Sequence, residues 1–144
     1  MQDHELAPYA LFAALSKQER ETVGRYLDRV DVKAGRTLAQ EGAFAHEFFV
    51  IESGEATVTR ERAGLRVGPR WTKERGEETL RTLGPGDFFG EIALVETDRR
   101  TATVTAVTDM RLLVMHERDF RSMLEQAPPV AERLQAAMRE RSGR

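Results

Sequence analysis

Hydrophobic positions change period twice along the chain. Ser16-Lys17-Gln18-Glu19 has the form of a capping box, in which the serine oxygen and the glutamate each satisfy an amide left over at a helix start. Val23, Tyr26, Leu27 and Val30 follow at i, i+3, i+4 and i+7, which predicts one amphipathic helix over roughly 16–29. Phe12 and Leu15 predict a shorter helix before it. From about residue 30 the pattern turns to brief β-like runs, at roughly 36–40, 47–52, 55–61, 79–83, 101–107 and 110–115. Gly35, Gly42, Gly54, Gly84 and Gly86 punctuate them. Ala56-Thr57-Val58-Thr59 and the stretch from Ala102 to Val107 alternate with period two. Phe48-Phe49-Val50-Ile51 is continuously apolar, as expected of a strand buried on both faces. The segment over about 62–78 is charged, glycine-bearing and aperiodic, and predicts a long hairpin loop.

After His116 the helical period returns. Phe120, Met123 and Leu124 form one stripe, and Val130, Leu134, Ala137 and Met138 form another, with Pro128-Pro129 between them. Many short strands with regular turn signals argue for a sandwich or barrel. The pattern therefore predicts one mainly β domain over 1–144: helices over 1–29, a β-barrel over 30–115 and helices over 117–141.

Bulk properties narrow the function. A chain of 144 residues can bury a core without staples. It has no cysteine, so disulfides, thiolate metal sites and cysteine nucleophiles are excluded. The formal net charge of −2 lacks the basic field of a nucleic-acid binder, so no direct nucleic-acid partner is expected. No apolar run approaches the ~18–20 residues of a membrane span, and the N-terminus is acidic before its first apolar residue, unlike a secretory signal. These features predict a cytoplasmic protein that does not engage a membrane. His4, His46 and His116 lack metal-ligand spacing, and no Gly-x-Ser-x-Gly elbow is present. Neither a catalytic residue nor a metal site is expected, and the chain is not read as an enzyme.

The informative stretch is Phe88 to Val104, FFGEIALVETDRRTATV. Gly90 allows close approach of backbone to a ligand. A short helix starting there leaves amides near Glu91, Ile92 and Ala93 free to hold a phosphate oxygen. Arg100 adds a planar, permanently charged fork, and Thr101 a hydroxyl. Glu91 should repel a phosphate, unless the ligand also presents a hydroxyl donor nearby. A ribose beside a phosphate does so, and the pattern describes a nucleotide-sized site. The plainer readings are that Arg100 pairs with Glu91 or Asp98, and that Glu91 only stabilises a helix dipole.

The stretch resembles the phosphate-binding cassette (89–104) of the cyclic nucleotide-binding domain family. Phe89-Gly90-Glu91-Ile92-Ala93-Leu94 and Arg100-Thr101-Ala102-Thr103-Val104 stand at that family's spacing. Ala34-Gly35, Glu41-Gly42, the Phe48 to Glu55 run and Gly84-Pro85-Gly86-Asp87 also fall where the family has them. The resemblance implies a jelly-roll β-barrel (double-stranded β-helix) with flanking N- and C-terminal helices. It implies that Glu91 accepts the ribose 2′-hydroxyl and that amides near Ile92 and Ala93 meet ribose or phosphate oxygens. By the same resemblance Arg100 would pair with the exocyclic phosphate oxygens, Thr101 and the amide of Ala102 would add phosphate contacts, and Val50, Leu83, Phe89 and Val104 would floor the pocket. The implied function is a non-catalytic sensor whose C-terminal helices move with ligand. It needs no cofactor.

The chain departs from the family pattern at Glu96-Thr97-Asp98-Arg99, where many members carry a glycine and a proline. In the family a hydroxyl after the arginine, here Thr101, occurs in some cyclic-GMP binders and in some bacterial cyclic-AMP binders, so the base stays open, with cyclic AMP favoured over cyclic GMP. The stripe from Val130 to Met138 either caps the pocket or joins a second copy or an effector protein. The alternative to a sensor is a sterile protein–protein interaction module of the same fold. Trp71 is either a lid over the base or packed within its own loop.

Overall fold

The computed structural model describes residues 1–61, 66–67, 70–71, 77–90 and 99–141. Short helices α1 (Asp3–Leu6) and α2 (Ala10–Ala13) precede α3 (Lys17–Gly24). The strands are β1 (Asp28–Val32), β2 (Thr37–Ala39), β3 (Glu47–Ser53), β4 (Ala56–Glu61), β5 (Arg66–Val67), β6 (Arg70–Trp71), β7 (Glu77–Leu83), β8 (Phe88–Phe89), β9 (Thr103–Ala106) and β10 (Met110–His116). Helices α4 (Glu117–Gln126) and α5 (Pro128–Arg141) follow.

The described strands form two four-stranded antiparallel sheets, β1-β10-β3-β8 and β2-β9-β4-β7, and a separate ribbon, β5-β6. Pairing is nested. β1 pairs with β10, β2 with β9, β3 with β8 and β4 with β7. A chain doubled on itself and wound into two facing sheets is a jelly roll, as the resemblance implied. The ribbon and the start of β7 place paired strand inside the segment read as loop.

β3 divides two cores, because successive side chains of a strand point to opposite faces. Phe49 and Ile51 enter the cluster between the sheets, with Val58, Leu83, Phe89, Val104 and Leu112. Phe48 and Val50 enter the other cluster, with Leu6, Phe12, Met123, Leu134 and Met138 of the helices. All four β3 residues are buried, so the continuous apolar run reads out as expected.

The Ser16–Glu19 capping box forms with both of its bonds, Ser16 N to Glu19 Oε1 at 2.8 Å and Glu19 N to Ser16 Oγ at 3.2 Å. Helix α3 nevertheless ends at Gly24, short of the predicted boundary near 29. Residues 28–32 instead pair along β10, from Asp28↔Val114 to Val32↔Met110. A sheet edge offering ladder hydrogen bonds overrides a helical stripe. Val30 is consequently an exposed strand residue, whereas Leu27 still reaches the helix-side core from the turn.

Pro128 and Pro129 open α5 rather than interrupt a helix. Proline suits a first turn because the amide it lacks has no partner there. The inner stripe of α5 (Ala131, Leu134, Ala137, Met138) is buried, and α5 packs on α2, α3 and α4. That stripe is consumed within the chain. Among the described residues no helix is long and apolar enough to cross a membrane.

Glu19 is tied twice. One oxygen closes the capping box, and the other accepts from Arg133 Nη1 of α5 at 2.6 Å. The Ser16 amide, then the Ser16 hydroxyl and Arg133, hold its carboxyl below the usual range against the opposing effect of burial. A depressed folded pKa adds stability above the unfolded value of about 4.3 and loses it as pH falls through the folded value. Glu19→Gln should therefore cost most near neutral pH, and urea titrations should show the gap to wild type closing below about pH 4. A gap independent of pH would refute this role for the carboxylate. Leu134→Ala, at a fully buried position, should cost about 2–5 kcal/mol at neutral pH in the same assay.

Candidate functional site

The site begins where β8 leaves the sheet. Phe89 pairs with Phe49, their rings stacked 4.7 Å apart and 17° from parallel. This fixes Gly90 beside the start of β3. Gly90 has φ +79, a conformation that side chains other than glycine adopt only with strain. A Cβ there would also lie 2.5 Å from Arg100 Nη1 and 2.6 Å from the Glu47 carbonyl. Gly90 is thus the floor on which the Arg100 guanidinium rests.

Arg100 is only 8% exposed. Its Nη2 donates to the Glu47 carbonyl at 2.7 Å. A guanidinium stays charged at any physiological pH, so its burial is sustained by acceptors set around it. Its backbone is gripped as well. Arg100 N donates to Ala43 O at 2.7 Å, and Gly42 N to Arg100 O at 2.9 Å.

These contacts belong to an arm over residues 40–47 that runs beside 99–103. The buried Thr103 hydroxyl accepts from Glu41 N at 3.0 Å and Gln40 Nε2 at 3.4 Å. Arg99 Nη1 donates to Gly42 O at 3.2 Å, and its guanidinium lies 4.7 Å above the ring of Phe44, which is 59% exposed. The sequence reading did not find this arm. Gly42 and the inward phase of Thr103 were available signals, since a buried hydroxyl needs partners. The Glu47 carbonyl is backbone and leaves no mark in a sequence.

The other expected residues fall as follows. Gly90 and Arg100 are in contact. Thr101 is exposed at the arginine's flank, and Ala102 is half-buried against the inter-sheet cluster. Leu83, Phe89 and Val104 lie together in that cluster. Val50 does not join them: the pleat turns it to the helix side, and Phe49 and Ile51 hold the inward positions. Glu91, Ile92, Ala93, Glu96 and Asp98 lie outside the described residues, as does the side chain of Trp71. Among the described residues no group of three or more histidines and acids gathers at metal-binding range.

What this arrangement offers is a fixed, buried, planar cation seated on a glycine that leaves room for it. Such a group suits an oxyanion. Comparison with known proteins bears on its identity. The profile of the family described as "Cyclic nucleotide-binding domain" matches residues 29–127. A cAMP-dependent protein kinase regulatory subunit of Mycosarcoma maydis is 35% identical over 128 residues, 85% of this chain and 22% of the relative. The Cyclic AMP receptor protein of Thermus thermophilus is 28% identical over 131 residues, 91% of this chain and 56% of the relative. The chain thus spans from about a fifth to just over half the length of these curated relatives. Among solved structures, the N-terminal domain of a transcriptional regulator from Streptomyces coelicolor A3(2) superposes with TM-score 0.71 at 30% identity. The match covers 91% of this chain and 86% of that one.

Gly90→Ala should destabilise the protein by at least about 1 kcal/mol through its φ alone, more because the Glu47 carbonyl cannot swing aside. Gly84→Ala, with nothing within 4 Å and no positive φ, should stay within about 0.5 kcal/mol of wild type in urea denaturation. Equal effects of the two substitutions would contradict the tight seat described for Arg100.

Proposed function

The chain belongs to the cyclic nucleotide-binding domain family, and on that premise we propose that it is a non-catalytic sensor of cyclic AMP. Cyclic GMP is the second candidate ligand. The observation that carries this reading is Arg100, buried and oriented over Gly90 at the family's phosphate position. A cyclic phosphate bears one compact negative charge, and a guanidinium meets two of its oxygens with parallel N–H donors. Thr101 and the Ala102 amide add contacts, Glu91 accepts from the ribose 2′-hydroxyl, and amides near Ile92 and Ala93 complete the anion's shell. Leu83, Phe89 and Val104 supply the apolar floor. The choice of cyclic AMP is supported by the names of the kinase regulatory subunit and the receptor protein, both of which specify that nucleotide.

Binding is read out by α4 and α5. A ligand moves an equilibrium only by its differential affinity for the two states. The buried inner face of α5 means that any capping of the pocket, or pairing with a second copy or an effector, begins with its release from α2 and α3. A cytoplasmic site of action suits a chain without cysteine. The competing reading, a sterile interaction module, draws on the Glu47 carbonyl, an acceptor for the arginine that belongs to the protein itself.

Calorimetric titration with cyclic AMP, cyclic GMP and 5′-AMP separates these readings. We expect saturable binding of a cyclic nucleotide, cyclic AMP more tightly, and none of 5′-AMP. Arg100→Ala should keep the fold and lose about 3–5 kcal/mol of affinity, as when one partner of a buried charge pair is removed. A loss under about 1 kcal/mol would remove Arg100 from the phosphate site. Folded protein that binds neither cyclic nucleotide would favour the sterile module.

A further inference from the structure

We propose that the His46–Glu47 segment, at the inner end of the 40–47 arm, is the link through which α4 reads the state of Arg100. The inference rests on the sensor reading and names the route by which its signal leaves the site. Two adjacent carbonyls of this segment are held by opposite parties. The Glu47 carbonyl accepts from Arg100 Nη2 at 2.7 Å. The His46 carbonyl accepts from the amide of Glu117, the first residue of α4, at 2.8 Å. Amides of a helix's first turn have no partner within the helix, so His46 supplies one that α4 cannot provide for itself.

Further contacts make the connection stiff. Glu117 Oε2 lies 3.5 Å from His46 Nδ1, and Glu117 also pairs with Arg121 one turn on. Ala45 is 2% exposed and belongs to the same cluster as Phe120 and Met123 of α4. Glu47 is also the register partner of His116, the residue immediately before α4. Outward from Ala45, the arm is stitched to Arg99, Arg100 and Thr103 by the bonds described above. One short segment thus touches the phosphate arginine on one side and the start of α4 on the other.

The physical drive is competition for the guanidinium. The guanidinium already lends its charge to the bond with Glu47 O, and a phosphate oxygen adds the attraction of an opposite charge that a neutral carbonyl lacks. A phosphate at Arg100 draws Nη2 from Glu47 O, the 46–47 peptide relaxes, and the bond from the Glu117 amide to His46 O changes with it. The segment is therefore an element whose arrangement both ends bias, which is the physical requirement for coupling.

Glu117→Pro tests the link. Proline is tolerated at the first helical position, and His116 already has the extended conformation (φ −80, ψ 151) that a following proline demands. The substitution deletes the amide donor to His46 O. Glu117→Gln deletes the charge and keeps the amide. We expect cyclic AMP to bind both variants within threefold of wild type by calorimetry. The cyclic-AMP-induced NMR shifts of the Phe120 and Met123 amides should persist in Glu117→Gln and fall at least threefold in Glu117→Pro. Undiminished shifts in Glu117→Pro would overturn the proposal.

A ligand-free comparison tests the same link even if cyclic AMP does not bind, an outcome that would sink the sensor reading alone. In Arg100→Gln without ligand, hydrogen exchange at the Glu117 amide should accelerate at least tenfold over wild type, with Val114 of β10 unchanged. No acceleration at Glu117, or equal acceleration at Val114, would show that Arg100 and α4 are not specifically connected.

Discussion

A guanidinium withdrawn from water must find its acceptors already in place, and much of the site's architecture answers that demand at Arg100. The nested strand pairing brings the end of β8, the start of β3 and the approach to β9 to one place. Gly90 gives the side chain room, and the Glu47 carbonyl gives it an acceptor. Ala43 and Gly42 clamp its backbone from the arm. Burial of this kind is costly unless geometry is fixed in advance. Fixed geometry is also what a binding site needs, since a preorganised donor loses little freedom when its anion arrives.

The two cores give this seat its rigidity and its connections. β3 contributes alternately to the inter-sheet cluster and to the helix-side cluster, so one strand lines both. The helix-side cluster joins α4 and α5 to the N-terminal helices, and the doubly engaged Glu19 ties α3 to α5 at its edge. The acceptor for Arg100 and the packing of α4 and α5 therefore share one strand.

Much of this was legible in residue order. The Ser16–Glu19 box, the apolar Phe48–Ile51 run, the alternation after Ala102 and the stripes on either side of Pro128-Pro129 each correspond to an element of the fold. Local rules serve such elements well, because capping bonds and side-chain periodicity involve neighbours in sequence. The readings that failed were those in which a distant partner competed. Val30 fits a helical stripe, yet β10 takes its backbone into a sheet. Val50 fits a pocket, yet the phase of the pleat sends it to the helices, and a shift of one residue reverses the face.

The candidate site divides along the same line. Side-chain chemistry and spacing were enough to single out Gly90 and Arg100 and to suggest an anion beside a sugar, because a permanently charged fork and a glycine with freedom at positive φ are properties of the residues themselves. The acceptor for that fork, the grip of the arm on 99–103 and the step from His46 to α4 arose from folding. They consist of backbone carbonyls and amides, which every residue carries alike, and only the packing of strands far apart in sequence determines which of them meet.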